Sequence, residues 1–232
     1  MRNLRTYLAG CVLILGSSVV SAGPITWEPA QDTTDPFDVF SAGSTVEAIN
    51  ASTESSGTVT INGVTFTNRN DLLGNSFGNA LDGNTSGDPS YDPFLNTFNF
   101  GGGASTSINI ADGLLSLGGS YLVQVWFTDL REQFNDRVMT FGDGQGNTQD
   151  LEALGAGLGQ FAIGRFSATG TSQELSLAAN GFSNAHITGY QVREIPEPGT
   201  LLLLALGLVG LGVASVRRKA VRLTAERRPL TA

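Results

Sequence analysis

The ten residues SYLVQVWFTD, Ser120 to Asp129, set Tyr121, Val123, Val125 and Phe127 on one face of a strand. Leu122, Gln124, Trp126 and Thr128 fall on the other face. A strand that is apolar on both faces has to be covered on both, so this segment belongs at the centre of a sheet. Shorter runs flank it. TVTINGVTFT, Thr58 to Thr67, alternates apolar and polar residues on either side of Asn62-Gly63, a pair that tolerates the positive φ angles of a type I′ turn. It predicts a tight hairpin whose Val59, Ile61, Val64 and Phe66 face a core.

SINI at Ser107 and RVMTF at Arg137 read as further strands, the latter running into the glycine-rich turn GDGQGN at Gly142 to Asn147. QFAIGRFSA, Gln160 to Ala168, shifts its apolar phase between Ile163 and Phe166, which predicts a β-bulge near Gly164 and Arg165. SQELSLA from Ser172 and AHITGYQVRE from Ala185 complete the series, the last as one closing strand. With 30 glycines in 232 residues, nearly twice the usual share of about 7%, turns are plentiful. The expected fold is all-β, an antiparallel β-sandwich of the jelly-roll type, in a single domain over residues 23–194.

Both ends of the chain carry a different kind of segment. MRNLRTYLAGCVLILGSSVVSAG has Arg2 and Arg5, then an apolar stretch from Tyr7 to Leu15, then small residues ending at Ala22. That order is an export signal over residues 1–22, with cleavage expected after Ala22. LAGC, Leu8 to Cys11, also has the form of a lipoprotein box, but most of the apolar segment follows Cys11 instead of preceding it. Cys11 is the single cysteine, so its removal with the signal excludes disulfides and thiol chemistry from the mature protein. At the other end Thr200 to Val216 is free of charge for 17 residues, at the lower limit for a bilayer span. Arg217, Arg218 and Lys219 stop it, and three more arginines follow, which orients the basic tail at residues 221–232 to the cytoplasm and the domain outside.

Directly before the uncharged run stand Pro196, Glu197 and Pro198, followed by Gly199-Thr200. Pro-Glu-Pro, one apolar segment and an Arg-rich end resemble the PEP-CTERM sorting signal of Gram-negative bacteria, here over residues 195–220. The resemblance implies recognition and cleavage by a membrane-embedded exosortase, and a place at the cell surface or in the exopolysaccharide matrix of a biofilm. The tail beyond Ala220 is longer than that family's usual ending. Within the domain, Tyr121 to Asp129, Phe166 to Leu177 and His186 to Val192 are similar in order to the galactose-binding-like and malectin-like jelly rolls, which implies carbohydrate-binding ancestry.

Charge narrows the partners. Between Gly23 and Gly199 five arginines face 20 of the 21 acids, a formal −15. Such a field repels a phosphate backbone, so nucleic acid is not an expected partner. Asp82, Asn84, Ser86 and Asp88 alternate along LDGNTSGDPSYD, the spacing of oxygen ligands around Ca²⁺, yet Pro93 stands where a bidentate acid is wanted. The competing reading is a polar surface loop. Trp126, Asp129, Arg131 and Asp136 cluster at the end of the central strand, where a ring plane, a carboxylate and a guanidinium can meet a sugar. A core tryptophan and arginines paired with neighbouring acids are the plainer alternative. His186, the lone histidine, lies in a strand, and Gly181 to Ala185, GFSNA, lacks the second glycine of a nucleophile elbow. The expectation is an exported, non-catalytic surface protein that binds or organises extracellular polysaccharide. The alternatives are a structural matrix component and a polysaccharide-active enzyme working through two carboxylates.

Overall fold

The computed structural model describes residues 23–195. The expected export signal, the Pro196-Glu197-Pro198 motif, the uncharged run and the Arg217, Arg218 and Lys219 cluster lie outside the described residues. Among the described residues no helix is long and apolar enough to cross a membrane.

The chain runs through β1 (Thr26–Trp27), β2 (Gln31–Asp32), a 3₁₀ turn (Pro36–Asp38), β3 (Ser44–Ala51), β4 (Thr58–Ile61), β5 (Val64–Arg69) and β6 (Asn75–Gly78). A one-turn helix α1 (Tyr91–Leu95) precedes β7 (Thr97–Gly101), β8 (Ser105–Ile110), β9 (Ser120–Phe127), β10 (Val138–Gly142) and β11 (Thr148–Glu152). The last strands are β12 (Gln160–Ser167), β13 (Gln173–Asn180), β14 (Ala185–Ile187) and β15 (Gly189–Glu194). They form a large sheet in the order β1-β12-β9-β15-β3-β5-β4, with β2 also on β12. A second sheet runs β11-β10-β13-β8 and a small third one β14-β7-β6. Pairing is antiparallel except between β3 and β5, which run parallel.

β9 holds the centre of the large sheet, between β12 and β15, and every residue from Tyr121 to Phe127 is buried. Its two faces feed two cores. Tyr121, Val123, Val125 and Phe127 pack with Ile110, Met139, Phe141, Leu175 and Leu177, the inner face of the second sheet. Leu122 and Trp126 pack with Ile61, Val64 and Phe66 of the hairpin and with Tyr91, Phe94 and Leu95 of α1. The sandwich therefore carries a further covering layer on its outer face, as a strand apolar on both sides requires. Gln124, the polar residue in that outer row, accepts from the Phe40 N–H at 3.0 Å and donates to the Asp38 carbonyl at 2.7 Å. Burying an aliphatic or aromatic side chain contributes roughly 1.5–3 kcal/mol, and unpaired amides would cancel that gain.

The Asn62-Gly63 hairpin forms as expected, with φ of 46° and 77° and Val59 opposite Phe66 and Ile61 opposite Val64. Two expectations need correction. β12 pairs with β9 without a break from Gln160 to Ser167, so there is no bulge at Gly164 and Arg165. The apolar phase shifts because both faces of β12 are covered: Phe161 and Ile163 enter the outer core, Ala162 and Phe166 the inner one. Gly164 is the point where Ile25 crosses, 2.4 Å from where a Cβ would stand. A register shift occurs instead between β15 and β3, where Val192 faces Glu47 and Arg193 faces Thr45, so that Val46 of β3 is the extra residue. There the buried Arg193 guanidinium donates to the carbonyls of Ser41, Ala42 and Gly43 at 2.7–2.8 Å. The second correction is that AHITGYQVRE is two strands in different sheets, split at Thr188. Thr188 takes the Thr128 N–H on its hydroxyl at 3.0 Å and so turns the chain beside the end of β9.

Gly23 packs against the Ser167 carbonyl, the Ile195 N–H donates to the Ser120 carbonyl, and Ser120 pairs with Ser167. The chain thus enters and leaves the described fold at the start of β9. The opposite end lies one strand length away, roughly 25 Å for eight residues.

Candidate functional site

At that far end β9 stops at Phe127 and the chain turns through Thr128 and Asp129. Asp129 is fully buried, a placement that costs several kcal/mol for an unpaired carboxylate. It is not unpaired. Arg131 grips it with Nε to Oδ1 at 2.7 Å and Nη2 to Oδ2 at 2.8 Å, and Arg137 Nη1 reaches Oδ2 at 3.1 Å.

The two guanidiniums are held in turn by aromatic rings. Arg131 lies 4.1 Å from the centre of Phe77 and 4.3 Å from Phe134; Arg137 lies 3.8 Å from Phe134 and 4.7 Å from Phe182. The order Phe77, Arg131, Phe134, Arg137, Phe182 is one continuous alternation of ring and cation. Each such contact is worth about 0.5–2 kcal/mol, and the stack fixes side chains that would otherwise sample many rotamers. Phe98 and Phe100 stand behind it on β7, where the intervening Asn99 points the other way and is tied to the Leu72 N–H and the Ser52 carbonyl.

These side chains line a cavity of about 190 Å³ together with Ser183, Asn184 and His186. His186, on β14, stacks on Phe98 at 4.6 Å with ring planes 16° apart and meets Phe182 edge-on at 5.2 Å. It is only 4% exposed, and its Nδ1 has no hydrogen-bond partner. Burial, then the charges of Arg137 and Arg131, push its pKa down to about 3, so the ring is neutral near pH 7. Burial also pushes the Arg137 guanidinium below its ordinary value, against the pull of Asp129.

The residues singled out in the sequence divide. Asp129 and Arg131 come together, Arg131 on the cavity wall and Asp129 beneath it. Trp126 does not join them: it is fully buried on the outer face of β9, against Phe66 at 5.8 Å and Phe94 at 5.3 Å. Asp136 is exposed and forms no ion pair with either arginine. The arginines pair with a neighbouring acid and line a cavity at once, so the two readings of Arg131 are compatible.

Asp82, Asn84, Ser86 and Asp88 use their polar groups within their own loop. Asn84 donates to the Leu81 carbonyl at 2.8 Å, Ser86 donates to Asp92 at 2.6 Å, and Asp88 accepts the N–H groups of Ser90 and Tyr91, both at 2.8 Å. Asp82 is reached by Asn79 at 3.5 Å. No group of three or more His, Cys, Asp or Glu that could hold a metal occurs among the described residues.

Sequence reasoning missed most of the wall: Phe77, Phe98, Phe100, Arg137, Phe182 and His186. Five of the chain's 13 phenylalanines meet here, but they come from four separate segments and share no period. Only Phe98-Asn99-Phe100 carries a local signal, an alternation that marks a strand face.

No curated protein and no solved structure gives a significant match to this chain, so the likeness to galactose-binding-like jelly rolls has no support from them. Residues 194–219 match the PEP-CTERM protein-sorting motif, beginning at the last residue of β15. The chain is therefore a PEP-CTERM-bearing all-β protein, exported and sorted through an exosortase.

Proposed function

We propose that this protein is a non-catalytic binding module that holds extracellular polysaccharide, or organises it, through the arginine–phenylalanine cavity. The observation that carries the reading is the cavity itself, an aromatic wall with charged hydrogen-bond donors fixed in place. Ring faces suit the apolar face of a sugar, and guanidinium N–H groups suit its oxygens. Its position supports display: the cavity lies at the far end of β9 from Glu194 and Ile195, where the sorting segment begins. An anchor entering at one end leaves the other end clear of the membrane.

The chemistry of the wall favours binding over turnover. His186 is neutral and buried, and Asp129 is engaged by two arginines, so neither is poised as a base or a nucleophile. The proposal needs no cofactor. Ca²⁺ enters the test only because of the oxygen spacing of Asp82, Asn84, Ser86 and Asp88.

The test is a glycan array probed with the full chain in detergent, with and without Ca²⁺, beside its Phe182→Ala variant. Retention of particular glycans by the native chain, weakened about tenfold or more in the variant, is expected from the loss of one stacking ring. Retention of no glycan under either condition overturns the reading in favour of a matrix component without a specific ligand.

A further inference from the structure

We infer that the cavity selects a single carboxylate-bearing sugar residue, a hexuronate or its equivalent, over neutral sugars. The inference rests on the reading of the cavity as a glycan site and adds the charge of the glycan. Three features carry it.

The first is an imbalance of charge. Two guanidiniums share one carboxylate, leaving a formal +1 at the wall of a domain that is otherwise strongly acidic. Glu132 and Asp136 are the nearest acids along the loop, and both are exposed and outside the cavity lining. Asp136 acts on Arg137 from solvent, less strongly than Asp129 does, while the paired arginines are only 16% and 17% exposed.

The second is unused donors. Asp129 takes Nε and Nη2 of Arg131 and Nη1 of Arg137. Nη1 of Arg131, and Nε and Nη2 of Arg137, have no hydrogen-bond partner among the described residues. The aromatic stack holds both planes still, so an incoming anion meets donors already in place and little ordering entropy is spent. A neutral hydroxyl can use these N–H groups too, but a carboxylate gains the charge as well.

The third is the size of the space and its neutral back wall. His186 lies on the lining as a neutral ring, so it adds no charge of its own to the space. A volume of about 190 Å³ suits one six-membered ring with its substituents: an apolar cavity of about 150 Å³ takes benzene. The site thus reads one residue of a chain, at its end or on a branch, with aromatic rings beside its apolar part and guanidiniums beside its carboxylate.

Calorimetric titration of the full chain in detergent with methyl glucuronide, methyl glucoside and benzoate separates the possibilities. The glucuronide is expected to bind about tenfold or more tighter than the glucoside at low salt, with the gap closing in 1 M NaCl. Arg137→Gln is expected to abolish the gap. Because that change can weaken the fold around Asp129, Asp136→Asn provides a second arm: Asp136 is exposed and outside the cavity lining yet acts on Arg137, and loss of its negative charge should tighten the glucuronide at low salt and leave the glucoside unchanged. Equal affinity for glucuronide and glucoside, lost together in Phe182→Ala, overturns charge selection and leaves the glycan site standing. Benzoate binding as tightly as glucuronide overturns the sugar and leaves an anion site. Failure of all three ligands to bind overturns both the inference and the reading beneath it.

Discussion

His186, a strand residue without a catalytic role in the sequence reading, is packed among aromatic rings in the fold. Its ring is flanked by Phe98, Phe100, Phe127 and Phe182, and its folded pKa of about 3 lies far below the ordinary 6.5. Between those values the unfolded chain binds a proton that the folded chain refuses. Stability from this group is therefore full above pH 6.5 and lost as pH falls toward 3, at about 1.4 kcal/mol per pH unit. His186→Phe keeps a ring in the stack and removes both the titration and the orphaned Nδ1. Thermal unfolding of the two proteins from pH 8 to pH 4 should show the variant losing less stability on the acid side. Parallel curves would mean that His186 is protonated in the fold. Acid losses from other groups, such as Asp32, held low by hydrogen bonds from Gln160 and the Ala156 N–H, are common to both proteins and cancel in the comparison.

Among the elements, β7 does the most to build the cavity, since it brings Phe98 and Phe100 under the Arg131 stack and pairs with both β6 and β14. Its last residue, Gly101, has φ of 143°, and a methyl group built there falls 1.9 Å from the Leu73 carbonyl oxygen. Only the absence of a Cβ lets the two backbones approach. Gly101→Ala should cost about 3 kcal/mol or more in urea unfolding, from strain and overpacking together, and should loosen the third sheet first. An unchanged midpoint would show that the Leu73 loop gives way freely. β7 is also faint in sequence. TFNFG offers only two phenylalanines in alternation, whereas TVTINGVTFT advertises both its strands and its turn. The difference is physical: the hairpin is specified by local backbone preference, and β7 by partners 19 or more residues away in the chain.

For the whole molecule, the division of labour follows the long axis of β9. The sorting segment leaves from one end, and the candidate cavity sits at the other. Pro196, Glu197 and Pro198 head the matched sorting motif, the part we propose the exosortase reads. Changing Pro196, Glu197 and Pro198 together to alanine should leave membrane insertion, which depends on the uncharged run and its cations, intact and should abolish surface sorting. Membrane fractionation alongside protease accessibility on whole cells checks both halves; unchanged sorting would reduce the motif to a plain linker.

What the sequence determined by itself is whatever rests on local order along the chain. The sorting motif, the hairpin at Asn62-Gly63 and the central position of a strand apolar on both faces are all of this kind, because charge, turn geometry and side-chain alternation act between near neighbours. Only the tertiary structure decided which side of β9 is which. Trp126, conspicuous in sequence, went to the outer core, because its alternate position on β9 faces the hairpin and α1. Asp129 and Arg131 kept the place their position at the strand end implied, but the rings that hold Arg131, and the second arginine beside it, came from β6, β7 and the loops after β9 and β13. Convergence of that kind follows from how sheets stack, and no spacing along a single chain records it.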